Sequence, residues 1–148
     1  MTTTKESGGF TAEERAAMKE AAAEQRKAKA RADKADKAAA DAADVAEKIA
    51  AMPEPDRSLA QNVHDTVTAV APDLAPRTWY GMPAYAKDGK TVLFFQDAAK
   101  FTARYATLGF QDVAALDDGA MWPTSFALTE WNDTVARTVT ELVRRAVG

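Results

Sequence analysis

The sequence predicts an α+β fold, an antiparallel sheet packed against N- and C-terminal helices. Apolar residues recur at helical spacing before residue 71 and again after residue 129, whereas the stretch between them holds short aromatic and β-branched runs. Asp-Gly dipeptides at 88–89 and 118–119 mark turns within that stretch. The order is therefore helices, then antiparallel strands, then a helix.

Taken in order, residues 1–9 read as a polar, disordered leader, and residues 10–44 as an Ala-rich, charged helical arm. Thr11 and Glu14 have capping-box spacing, in which hydroxyl and carboxylate satisfy orphan backbone donors. A break near residues 32–36 competes with a single long helix. Residues 11–44 contain one large apolar side chain, Met18, so the core must come from residues 45–148. Val45, Ile49 and Met52 share a helical face that ends before Pro53. Leu59, Val63, Val67 and Val70 form the clearest apolar stripe, ended by Pro72.

Strands follow. RTWYGM is short and aromatic, and Pro83 confines its continuation to an edge or a bend. Residues 87–90 predict a hairpin turn, and TVLFFQ (91–96), apolar on both faces, a central strand. FTARYAT (101–107) alternates as a strand does, with Lys100, Thr102 and Arg104 sharing one parity. MWPTSFAL predicts an edge strand, because Pro123 interrupts it. Thr129 is placed as the cap of the last helix, with Glu130 in its first turn, Arg144 and Arg145 in its last, and a buried stripe of Trp131, Val135, Val139, Leu142 and Val143.

Composition restricts the chemistry. The chain of 148 residues suits one domain, and its net charge of −3 lacks the clustered cations that nucleic acid requires. Through Met52 there are ten Lys/Arg against ten Asp/Glu, and nine against twelve thereafter. There is no cysteine, which removes disulfides, thiolate ligands and thiol nucleophiles. No apolar run suggests a signal peptide or a membrane span, and a cytoplasmic location is the expectation. One histidine, His64, builds neither a triad nor a two-histidine metal site, and it is expected at the border of a buried face, held by a hydrogen bond. No P-loop, dinucleotide-binding pattern or nucleophile elbow is present, so an enzyme ranks third among the readings.

Two candidate sites remain. Asp112, Asp117 and Asp118 lie close together as hard-cation ligands, although Asp-Asp-Gly is also simply what a polar turn looks like. In TWYGMPAY (78–85), strand alternation puts Thr78, Tyr80 and Met82 on one face and Trp79 on the other. Trp79, Tyr80, Met82, Tyr85 and Trp122, with Lys100 and Arg104, are candidates for an aromatic and cationic pocket for a small anionic or planar ligand. The alternative is that these aromatics pack on both faces of a covered sheet.

The segments MPEPDR, APDLAPRTWYGMPAYAKDGK, FFQDAAKF, RYATLGF and LDDGAMWPTSFAL, in continuous order over residues 52–148, resemble the YdhG-like domain family. FTAEERAAMKE is similar to the leader of one subgroup. The resemblance implies a compact fold likened to frataxin, and, from members described as frataxin-like iron chaperones, iron held on carboxylates near an early helix. On this chain the acids nearest such a position are Glu54, Asp56 and Asp65. Two function classes follow: a non-enzymatic domain that binds a metal ion, iron being the cofactor implied, or a small ligand; or a protein-interaction module using the helical arm and exposed aromatics.

Overall fold

A computed structural model describes residues 10–30 and 34–148; the predicted leader lies outside the described residues. The elements run α1 (Ala12–Ala30), α2 (Lys34–Ala50), α3 (Asp56–Val70), β1 (Ala75–Trp79), β2 (Met82–Lys87), β3 (Lys90–Gln96), β4 (Ala106–Phe110), β5 (Ser125–Leu128) and α4 (Asp133–Ala146). The strands form one antiparallel meander in the order β1-β2-β3-β4-β5. This is the α+β arrangement expected, with helices at both ends of the chain and β3 at the centre.

Each early helix follows from its residues. The predicted capping box closes α1: Thr11 N donates to Glu14 Oε1 (2.9 Å) and Glu14 N to Thr11 Oγ1 (3.0 Å). α1 and α2 end and begin separately, and Lys48 reaches Glu20 while Lys27 reaches Asp44, so α1 runs back antiparallel along α2. The single long helix is not what the described residues form. α2 also runs unbroken through residues 44 and 45, so the helix that opens the predicted domain starts inside the predicted arm.

The core lies on one face of the sheet. Val45, Ile49 and Met52, then Leu59, Val63 and Val67, pack with Val139 and Val143 of α4 against the sheet's inward residues. Paired positions of antiparallel strands share a face, so Tyr85, Leu93 and Phe110 form one inward row, and Phe95, Leu108 and Phe126 another. Burying an aliphatic or phenylalanine side chain of this kind stabilises by about 1.5–3 kcal/mol.

Four local expectations are corrected. Tyr80 and Gly81 form a two-residue hairpin turn, both at positive φ (53° and 78°), so Trp79 pairs with Met82 and shares its face, opposite Thr78. Alternation does not carry through a tight turn. Pro83 sits in β2, which is not an edge strand; the ladder to β3 starts one residue later, at Ala84, so the missing N–H interrupts no pairing there. Residues 101–105 are turn and loop, with Thr102 at φ 53°, and β4 begins only at Ala106. Lys100 and Arg104 therefore do not share a strand face. Finally, Asn132, not Thr129, caps α4, its side chain accepting from Val135 N (2.9 Å), which leaves Glu130 and Trp131 outside the helix and Asp133 in its first turn.

The other sheet face is built from the row Arg77, Ala84, Phe94, Gly109 and Ser125. A Cβ at Gly109 would collide with the Phe94 ring, so the glycine is what lets that ring lie over β4. Phe94 touches Trp79 (centroids 5.4 Å), and Trp79 meets Tyr80 edge to face (4.9 Å). This aromatic run leads from the sheet to the β1–β2 turn.

Candidate functional site

The β1–β2 turn presents two consecutive backbone N–H groups to one acceptor, as turns that hold anions do. A carboxylate occupies it. Tyr80 N donates to Glu24 Oε1 (3.0 Å) and Gly81 N to Glu24 Oε2 (3.1 Å), so both oxygens of one α1 glutamate are engaged. Lys100 lies beside the turn, its Nζ 3.4 Å from Gly81 O, and it pairs with Glu20, one helical turn before Glu24. Lys48 of α2 reaches the other Glu20 oxygen at 3.1 Å. A Cβ at Gly81 would run into Lys100 Nζ and the Glu20 carboxylate and push these side-chain ends aside, and the φ of 78° itself favours glycine.

Partial burial pushes the Glu20 carboxyl up, but hydrogen bonds from Lys100 and Lys48 outweigh it and hold the group below the ordinary carboxylate range. Behind Lys100, Asp97 is buried and its Oδ1 has no partner. Burial raises its pKa; its own backbone N–H and the nearby Lys100 oppose the shift, and Asp56 adds to it. Asp56 is buried too, accepting from Ala99 N (2.9 Å), which ties the start of α3 to the loop carrying Lys100.

α1 is seated by these polar contacts more than by apolar ones. Its inward stripe is Glu13, Ala17, Glu20 and Glu24, of which only Ala17 is buried. Clefts of about 290 and 270 Å³ lie between α1 and the α2–β1 surface; Arg77, Trp79 and Tyr80 line the first, Glu47, Lys48 and Thr78 the second. Arg77 Nη2 donates to Thr91 Oγ1 (3.0 Å), whereas its buried Nε lacks a partner. Ion pairs and hydrogen bonds at a partly exposed surface each contribute about 1 kcal/mol. This seat therefore holds α1 less firmly than the burial of Val45 and Ile49 holds α2.

The residues expected to make a pocket divide. Trp79, Tyr80 and Lys100 gather at the turn. Met82 is buried beneath the same face. Tyr85 is corrected to a core residue: it has no exposed surface, and its hydroxyl lies 2.9 Å from His64 Nδ1. Burial drives the Tyr85 pKa well above its usual value and lowers that of His64, with Asp65 pulling the latter back. His64 thus takes the hydrogen-bonded border position expected of it. Arg104 is exposed over the Tyr105 ring (5.0 Å), and Trp122 packs against the main core.

The proposed metal ligands are each placed elsewhere. Glu54 accepts from Ser58 N and Oγ and from Arg57, hydrogen bonds that hold its pKa low. Asp65 accepts from Gln61 (2.9 Å), and Asp112, Asp117 and Asp118 stand exposed in the β4–β5 connection, where Gly119 turns at φ 73°. Among the described residues no three His, Cys, Asp or Glu side chains group as a metal site. Nor is any helix among them long and apolar enough to cross a membrane.

Glu20, Glu24, Lys48 and the Tyr80–Gly81 amides were not singled out from the sequence. A glycine between RTW and MPAY was the available signal for the turn; nothing local signalled its glutamate partner. Comparison of the chain with protein-family models, with curated proteins and with solved structures finds no match.

Proposed function

We propose that the protein is a non-enzymatic binding domain for a small carboxylate-bearing ligand received at the Tyr80–Gly81 turn. The observation that carries this reading is that the turn already holds a carboxylate by both oxygens, on two backbone N–H groups. Backbone donors fixed by a tight turn need no rearrangement to accept an anion, and Lys100 adds a cation beside them. Trp79 and Tyr80 supply flat apolar surface for the remainder of the ligand, in the balance usual for small-molecule sites.

Iron handling draws less support. Glu54, Asp56 and Asp65 are each engaged by a donor of their own. The test of the carboxylate reading uses Glu24→Ala, which empties the turn. Titration with acetate, followed in amide spectra, is expected to move Tyr80 and Gly81 saturably, whereas chloride at equal ionic strength leaves them in place. Shifts spread over the surface lysines, or none at the turn, would overturn it. Anaerobic ferrous ion added to the same sample checks the metal alternative: broadening confined to Glu54, Asp56 and Asp65 would favour iron instead.

A further inference from the structure

The turn is only half of what α1 occupies. Glu20 and Glu24 are four residues apart on one helix, so their carboxylates project from the same face, about 5–6 Å apart at Cβ. One sits on the Tyr80 and Gly81 amides, and the other between Lys100 and Lys48. The two receptors are joined through Lys100, whose ammonium lies against Gly81 O while holding Glu20. The surface beneath α1 is therefore a two-carboxylate receptor, with paired amides at one end and paired ammonium groups at the other.

We propose that the ligand is a small dicarboxylic acid whose carboxylates span about one helical turn, and that α1 is its internal competitor. This rests on the carboxylate reading given above. A monoacid satisfies the amides and leaves Lys100 and Lys48 with nothing in place of Glu20; a diacid replaces both glutamates at once. α1 is suited to leave, because Ala17 is the one buried residue among its described side chains and open clefts lie beside its seat, one reaching Tyr80 and the other Lys48. The apparent affinity of the whole chain then falls by the fraction of molecules in which α1 is released.

The test compares the intact protein with the Glu20→Gln/Glu24→Gln double variant by calorimetric titration with acetate, glutarate and adipate. The double variant is expected to bind glutarate or adipate about tenfold more tightly than the wild type does, and about tenfold more tightly than it binds acetate. Adding Lys100→Met to the double variant should bring the diacids down to the acetate level while acetate binding survives. Equal affinity for diacids and acetate overturns the inference but leaves the carboxylate reading standing, provided that Tyr80 and Gly81 still shift. Equal diacid affinity in the wild type and double variant removes the competitor role. Absence of shifts at those amides with every acid sinks both readings. Binding of a synthetic peptide of residues 12–30 without any diacid binding would make the seat a helix receptor, and also overturns the proposal.

Discussion

α1 and α2 are written in nearly the same alphabet of alanine, lysine and acid, yet they are attached by different physics. α2 carries Val45 and Ile49 into the core, where each is almost fully buried. Among its described side chains α1 buries Ala17 alone. It is otherwise held by polar contacts, chiefly Glu20 and Glu24 on two lysines and two backbone amides, with Lys27 near Asp44. Apolar burial is non-directional and scales with the area removed from water, whereas a carboxylate seat depends on the direction and spacing of a few donors. Two aliphatic side chains thus separate a helix anchored in the core from one seated by polar contacts.

The largest test of that contrast is Ile49→Ala, expected to cost about 2–5 kcal/mol in urea unfolding, as large-to-small changes in packed cores do. A cost under about 1 kcal/mol would mean that α2 is held no better than α1. Gly81→Ala comes next. Its φ of 78° suits glycine, and the added methyl would meet Lys100 and Glu20. A loss of about 1–2 kcal/mol is expected from the left-handed backbone, with faster amide exchange throughout α1 but not α2.

Tyr85→Phe should cost about 1 kcal/mol by removing the hydrogen bond to half-buried His64. The same pair sets a pH dependence. Burial keeps folded His64 below its unfolded value of 6.5, so the unfolded state binds the proton first. Stability is therefore full above that value and declines as pH falls through it toward the folded pKa. Urea midpoints across that range measure the decline, and a rise on acidification would show that the burial argument is wrong. The smallest global effect belongs to Glu24→Gln, within about 0.5 kcal/mol. Its signature is local: faster exchange of the Tyr80 and Gly81 amides, matched in the wild type by raised salt, since exposed charge contacts are screened.

Much of the fold was legible because periodicity is a local property. The Leu59, Val63 and Val67 stripe, the Asp88-Gly89 hairpin and the Thr11–Glu14 box all formed as read. Misreadings came where a local pattern met a backbone constraint. FTARYAT alternates like a strand but becomes a turn containing a left-handed Thr102, and Tyr85 looked available for a ligand until its strand register turned it toward α3. The site was less legible than the fold: Trp79, Tyr80 and Lys100 were picked out for aromatic and cationic character, but their shared occupant was not.

By itself the sequence determined the helical and strand segments, the poverty of apolar residues in α1, and the absence of cysteine chemistry, since each depends on composition or on neighbours a few residues apart. Tertiary structure alone decided that Glu24 meets amides 56 and 57 positions away, and that Glu20 shares Lys100 from 80 positions away. Such partners are chosen by how α1 folds back along α2 beside the β1–β2 turn. A glutamate on a helix looks the same in sequence whether it faces water or fills a site, because its partner is specified by geometry and not by adjacency.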